Sequence, residues 1–440
     1  MSMGNELGAQ AVPSAPGAYA GVRTRAQSMR AVRAAIIGNV LEWFDFATYA
    51  FLATSISKSM FPAGDEFVAM LGTFGAYGLG FASRPLGAIV FGWLGDRKGR
   101  KWTLSFVMPL MALGTLLMAL IPSYASIGIL APILLVLARL LQGFSVGGEL
   151  GNAIAFLVEW APKGKRGLYG SFQQCSTIGG SLLGSGAAAL MSTWISPQSM
   201  VDWGWRVPFI AGALIIGPIG WYIRRKSEES PLFEAAHDAS AKPDTRSPLP
   251  MALQACGLVM VWTVSLYVIL NYLPSFVQKY VGLSASASLW WNTAGLLLMT
   301  LAIPFWGALS DKVGRKPLLL VGCLAFIVLP YPLFAWMLAT KSALLVAIIQ
   351  LGSGILIGIF SGVAPAALSE IFPTKMRTTW MSIGYGIANA IFGGFAPFIA
   401  IWLIKATGSP LSPAFYVIAA AIMSTITVLT LKESAHKPLL

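Results

Sequence analysis

Five ionisable side chains stand inside long apolar runs: Glu42, Asp45, Arg84, Arg139 and Glu149. Such groups are costly in an apolar medium unless paired or wetted, so each is a candidate for function. A carboxylate there can take up and release a proton, and a guanidinium offers a forked donor to a planar anion. The two histidines, His237 and His436, lie in polar stretches, so a proton carried through the apolar region has to ride on a carboxylate. Glu42, Asp45 and Tyr49 follow an i, i+3, i+7 spacing that places them on one helix face. Asp45 or Glu42 is expected opposite Arg139 near mid-depth, and Glu149 opposite Arg84 nearer one end. Three acids then face two bases, which leaves one carboxylate without a permanent partner. Asp45, Glu42 and Glu149 are the proton-coupling candidates, and Asp45 is favoured because it lies closest to the middle. The plainer alternative is a set of static bridges that hold helices together, which suits Arg84 with Glu149 best.

The elements that position these groups come from a duplication. Gly92-x-x-x-Asp96-Arg97-x-Gly99-Arg100-Lys101 returns 215 residues later as Gly307-x-x-x-Asp311-Lys312-x-Gly314-Arg315-Lys316. At a spacing of 211, Gly143, Gly147, Gly151, Glu159, Pro162 and Arg166 return as Gly354, Gly358, Gly362, Glu370, Pro373 and Arg377. Two ordered repeats at nearly one spacing mean a duplicated half. The glycines allow tight turns, and Asp96 and Asp311 can sit at the positive end of a neighbouring helix. The basic residues of the motif can pair with Glu159 and Glu370. Contacts of this kind would close one side and break when it opens, so Asp96, Arg97, Gly99, Arg100, Glu159, Arg166, Asp311, Gly314, Arg315, Glu370 and Arg377 form a candidate gate. Anchoring by positive charge alone would explain the Arg and Lys but not the fixed Gly and Asp. The glycine rows read as close-packing faces.

With 56% hydrophobic and 11% charged residues, the chain has too little polar surface to cover a water-soluble particle. Runs of about 20 apolar residues predict twelve membrane helices, near 34–57, 67–93, 103–121, 127–152, 168–194, 205–223, 250–275, 285–307, 317–339, 343–366, 378–403 and 411–431. The expected organisation is a disordered tail over 1–33, a six-helix bundle over 34–223, a central loop over 224–249, a second bundle over 250–431 and a tail over 432–440. Nothing at the start resembles a cleaved signal. Of the 30 Lys and Arg residues, 23 fall on the side of the termini and central loop and five on the other, while Arg84 and Arg139 lie inside helices. By the positive-inside rule, both termini and the central loop are expected in the cytoplasm. The net charge of +13 is thus dealt out loop by loop, unlike the clustered footprint of a nucleic-acid binder. Cys175, Cys256 and Cys323 lie in apolar runs and give no disulfide framework.

A solute groove is expected at mid-depth between the halves. Beside Arg139, Arg84 and Tyr49, its wall could use Gln173 and Gln174, Tyr267, Asn271 and Tyr272, Trp291 and Asn292, and Tyr385 and Asn389. Each of these fits a helix core or an interfacial belt as well. No G-x-x-x-x-G-K-(S/T) phosphate loop is present, so an ATP-driven pump is excluded unless another subunit supplies energy. The carboxylate–histidine groupings of most hydrolytic or metal enzymes are missing from the apolar runs. No enzyme activity, cofactor or metal is expected. The expected partners are a small solute, a proton and the lipid bilayer, with the monomer as the working unit. An exporter or antiporter remains the competitor to a symporter.

The paired G-x-x-x-D-x-x-G-R-K turns, the duplicated halves and Arg139-Leu140-Leu141-Gln142-Gly143 resemble the major facilitator superfamily over nearly the whole chain. Gly38-Asn39-Val40-Leu41-Glu42-Trp43-Phe44-Asp45, Ser83-Arg84-Pro85-Leu86-Gly87, Gly147-Gly148-Glu149-Leu150-Gly151, Asn271-Tyr272-Leu273-Pro274 and Ala388-Asn389-Ala390-Ile391-Phe392-Gly393-Gly394 resemble its metabolite:proton symporter branch. The resemblance implies an all-α integral membrane protein of two pseudo-symmetric six-helix bundles that works by alternating access in a bacterial-type inner membrane. It also implies substrates such as citrate, 2-oxoglutarate, shikimate, proline or betaine. The two arginines point to a small organic acid, with a zwitterion of the proline or betaine type as the alternative. Osmosensing members carry a long C-terminal coiled coil, for which residues 432–440 have no room.

Overall fold

The computed structural model describes residues 39–40, 42–98, 100–146, 154, 157–158, 161–162, 164–225, 249–373 and 377–437. Among them the secondary structure is helical and no strand occurs. Among the described residues twelve helical passes follow in chain order: α1 (39–40 and 42–60), α2 (Glu66–Ala82 and Arg84–Lys98), α3 (Arg100–Leu120), α4 (Leu130–Val146), α5 (Arg166–Trp194) and α6 (206–225), then α7 (Leu249–Val281), α8 (Ala285–Val313), α9 (Arg315–Val328 and Pro330–Thr340), α10 (Ala343–Ile371), α11 (377–407) and α12 (Ser412–Thr430). Helices α7, α8, α10, α11 and α12 are each long and apolar enough to span a bilayer, as is α9 if its two segments, bent by 41°, are one span.

Local chemistry explains where the passes start and stop. Asp65 caps α2 through Phe67 N at 2.8 Å and Val68 N at 3.2 Å, while Ser284 and Ser342 cap α8 and α10. Gly282 and Gly408 adopt positive φ and end α7 and α11. Several passes outrun their apolar runs. Helix α8 continues past 307 to Val313 and α10 past 366 to Ile371, because the added turns carry Ser310, Asp311 and Glu370, whose polar groups find protein partners.

The halves meet most extensively along α5 and α8. At one end their backbones nearly touch, since a Cβ on Gly167 would stand 2.4 Å from Gly307 O and one on Gly307 would stand 2.7 Å from Gly167 O. Only glycine fits at that crossing. In the same way Gly143 packs against Gly80 of α2, and Gly354 and Gly362 pack against α8. Gly314, Arg315 and residues 432–437 lie together at one end, the motif face.

Candidate functional site

Asp45 on α1 and Arg139 on α4 form a buried ion pair, with Nη1 to Oδ2 at 3.3 Å and side chains 4% and 0% exposed. The same Oδ2 accepts from Gln142 Nε2 at 2.9 Å, and that amide also reaches Thr115 Oγ1 of α3 at 2.8 Å. The Arg139 guanidinium stacks 3.8 Å over the Tyr49 ring, whose hydroxyl donates to Thr73 O at 2.9 Å. Asp45 Oδ2 thus joins α1 to α4, and the Gln142 amide carries the link on to α3. The other, Oδ1, is buried and has no hydrogen-bond partner among the described residues, as is true of Nε and Nη2 of Arg139.

One turn along α1, Glu42 Oε1 pairs with Arg84 Nη1 at 3.3 Å. This corrects the expected arrangement, in which Arg84 takes its acid from α4. Glu149, the acid expected there, lies outside the described residues, as do Gly147 and Gly151. Asp45 and Glu42 therefore each have a base, and neither is the partnerless acid that counting three acids against two bases suggests. The geometric reason is that Arg84 opens the second segment of α2 and its side chain reaches Glu42, Trp43 and Phe46 of α1. Its guanidinium lies 4.3 Å from the Phe81 ring centroid, 4.5 Å from Phe46 and 5.3 Å from Trp43.

The expected neutral wall gathers where helices depart from α geometry. Tyr267, Asn271 and Tyr272 fall in a π-helical turn, Leu266–Tyr272, and Asn389 opens another, Asn389–Gly394. Such turns recur at functional sites because they re-aim side chains. Asn271 Nδ2 donates to Tyr77 Oη at 3.1 Å across the two halves, and Tyr267 and Tyr272 meet Tyr77 and Phe74 edge-on. Gly393 leaves room for Tyr267 and Asn389 side by side. Tyr385 packs on Trp262, and Gln173 accepts from Gln174 at 2.6 Å. Asn292 turns to Ser185 of α5, but Trp291 is a correction: it is 36% exposed on the outer side of α8. Adjacent helix positions point about 100° apart, so a wall that uses Asn292 leaves Trp291 outside.

On the motif face, Asp311 accepts from the backbone N–H of Gly167 at 2.8 Å and Leu168 at 3.0 Å, at the start of α5. Arg315 reaches Asp311 at 2.9 Å, Ser310 at 2.6 Å and Glu370 at 3.3 Å, and Arg166 stands 3.1 Å from Glu370. Gly314, at φ +108°, makes the turn between α8 and α9. Arg377 is buried and donates to Ser369 O and Phe372 O. In the first half, Asp96, Arg97 and Arg100 lie on helical backbone at the α2–α3 turn, while Gly99 and Glu159 are outside the described residues.

Three participants escape the sequence reading. Gln142 sits one turn from Arg139, a spacing that could have revealed it. The aromatics Phe46 and Phe81 look like core residues until the fold sets them beside Arg84. The third is the C-terminal segment, expected to be a plain tail. Glu433 accepts from Arg315 N at 3.0 Å and Lys316 N at 2.9 Å, Ser434 donates to Glu370 at 2.6 Å, and Arg166 donates to the carbonyls of Ala435 and Lys437. Burial opposes the Glu433 charge, but four backbone N–H donors, from Arg315, Ala435, Lys316 and Ser434, hold its carboxyl below the usual range.

Contacts between the halves close both ends. Asp311 and Glu370 bridge to α5 on the motif face, and at the other end Thr193 meets Ser286 at 2.8 Å and Trp290 at 3.1 Å, while Thr54 meets Ser275 at 3.4 Å.

Residues 31–247 match the family model described as "Sugar (and other) transporter", and residues 255–439 match "Major Facilitator Superfamily". The chain is 35% identical to the proline/betaine transporter of Salmonella typhimurium over 93% of its own length and 84% of the relative's. It is 38% identical to the citrate-proton symporter of Klebsiella pneumoniae, with 88% and 87% covered. Among solved structures, a proton:xylose symporter bound to 6-bromo-6-deoxy-D-glucose superposes with a TM-score of 0.75 at 19% identity, covering 94% of this chain and 98% of that one, which is a likeness of fold. On these grounds the chain is a multi-pass membrane protein that belongs to the major facilitator superfamily of transporters and is not an enzyme.

Proposed function

We propose that this chain takes up a small carboxylate-bearing solute together with a proton, by alternating access in the inner (plasma) membrane with both termini cytoplasmic. Its relatives support proton-coupled transport, since one of them is named a citrate-proton symporter. The observation that carries the reading is the buried Asp45–Arg139 pair beside a second pair, Glu42–Arg84. Protonation of Asp45 leaves Arg139 an uncompensated buried charge, which a solute carboxylate relieves. Proton and anion then load together. Arg139 and Arg84 each keep Nε and Nη2 without a hydrogen-bond partner among the described residues, and those are the donors a carboxylate needs.

In this scheme Tyr49, Gln173, Tyr267, Asn271, Tyr272 and Asn389 form the neutral part of the groove. The motif-face network of Asp311, Arg315, Glu370 and Arg166 is the cytoplasmic gate, with Asp96, Arg97, Gly99, Arg100 and Glu159 as its first-half counterpart and Gly314 and Arg377 shaping the second. A second reading, a zwitterion such as proline or betaine, is favoured by the aromatic faces of Trp43, Phe46 and Phe81 around Arg84, since such faces also accept an ammonium group.

Vesicles reconstituted with the protein and given an inward proton gradient test the coupling. Asp45→Asn is expected to abolish accumulation of labelled solute while solute-for-solute exchange across the membrane continues. Full accumulation by Asp45→Asn would move the proton site elsewhere. Expulsion of solute by the wild type under the same gradient would make the protein an exporter.

A further inference from the structure

A cavity lies on the far side of Asp45 from the aromatic wall, enclosed by α1, α3 and α6. It is lined by Phe44, Asp45, Met108, Met111, Ala112, Thr115, Gly212 and Gly217 and leaves about 20 Å³ for the centres of water molecules. By that measure a single buried water needs roughly 10–15 Å³, so one fits and at most two. The four α3 residues follow i, i+3, i+4, i+7 and form one helix face. The two glycines bracket a π-helical turn of α6, Gly212–Ile216, which interrupts regular packing there. Ala112, Gly212 and Gly217 are only half-buried.

Asp45 alone among the lining residues can titrate, and its Oδ1 is buried with no hydrogen-bond partner among the described residues. The charged and titratable groups around it are Arg139 from α4, Glu42 and Tyr49 along α1, and Arg84 held by Glu42. Helices α3 and α6 bring only Thr115 as a polar side chain to the cavity. Gly212 is six residues from Arg206, which ties the ends of α6 and α3 through Ile121 O at 2.9 Å. At ~1.5 Å per residue the cavity therefore comes within ~9 Å of the end opposite the motif face.

We propose that protons reach Asp45 through water in this cavity, by a route separate from the one the solute takes between the halves. A hydronium at the cavity wall gives its proton to Oδ1, which leaves water behind and a neutral carboxyl facing Arg139. Because the donor arrives from the α3–α6 side, a solute already in the groove does not obstruct loading. The inference rests on Asp45 as the proton site, so the experiment has to separate the two.

The blocking variant is Gly212→Val, because a Cβ at Gly212 points between Phe44, at 3.2 Å, and Thr115, at 4.0 Å. In vesicles loaded with radiolabelled citrate or betaine, it is expected to keep exchange while accumulation falls about tenfold per unit of pH gradient, the factor one coupled proton supplies. The companion variant is Met111→Cys in a chain whose three cysteines are replaced, treated with a small charged thiosulfonate while citrate or betaine saturates the groove. Labelling is expected. Normal accumulation by Gly212→Val, or a Met111→Cys thiol that stays unlabelled while Thr54→Cys reacts, overturns the route. If Gly212→Val loses exchange as well, the labelling result decides alone. Asp45→Asn with normal accumulation would instead overturn the proton site itself, whereas a defective Asp45→Asn beside a normal Gly212→Val would overturn only the route.

Discussion

At the residue scale, the chain places a carboxylate and a guanidinium where neither meets bulk water, and part of each has no partner among the described residues. Among the described residues Asp45 Oδ2 has two donors and Oδ1 has none; Arg139 uses Nη1 on Asp45 and stacks on Tyr49. Breaking one member of such a pair strands the other, which costs roughly 3–5 kcal/mol, whereas removing both can be nearly neutral. Arg139→Gln is therefore expected to destabilise the purified protein by that order. The double variant Asp45→Asn with Arg139→Gln is expected to recover much of the loss without recovering accumulation. Thermal unfolding of the two single variants, the double variant and the wild type measures the coupling as a cycle. Additive single and double losses would show that the two side chains do not act as a unit.

At the scale of elements, helix ends carry the gate, because unsatisfied backbone N–H groups there attract carboxylates. Asp311 caps α5 across the two halves, and Glu433 caps α9 from the C-terminal segment. The Glu433 carboxyl titrates below its ordinary value, so its contribution is complete above the ordinary carboxylate range and is lost as the pH falls through the depressed folded value. Hydrogen exchange at the Arg315 and Lys316 amides is expected to stay slow at about pH 5 and to speed up only below about pH 4. Glu433→Gln is expected to weaken the cap by on the order of 1 kcal/mol at neutral pH. Unchanged protection in that variant would show that the segment rests on the motif face without holding it.

At the scale of the whole molecule, the two halves touch at both ends, so a solute can enter only when one set of contacts breaks. Binding that joins proton and anion is expected to stabilise this closed form. A thermal-shift series with citrate, 2-oxoglutarate, proline, betaine and a neutral sugar should show acids stabilising more at about pH 5–6 than at about pH 8, because protonated Asp45 frees Arg139. Zwitterions stabilising more than acids would favour the second reading, and sugars alone would overturn both.

The membrane class and the duplicated architecture are legible in the amino-acid sequence alone, and so are the residue types of the candidate site. Composition excludes a soluble particle, a repeated motif reports duplication, and a charge inside an apolar run is rare enough to flag Asp45, Arg139, Glu42 and Arg84 one by one. It also located the Asp311 carboxylate near a helix start. Which acid meets which base was not legible, since pairing depends on how α1, α2 and α4 are rotated about their axes, and spacing along one helix carries no information about its neighbour. Hence Arg84 went to Glu42, and Trp291 turned outward while Asn292 turned in. The Glu433 cap, the Gln142 bridge and the cavity behind Asp45 all join segments far apart in the chain. They emerge only once the helices are packed, because each depends on the distance between elements that follow one another in the chain.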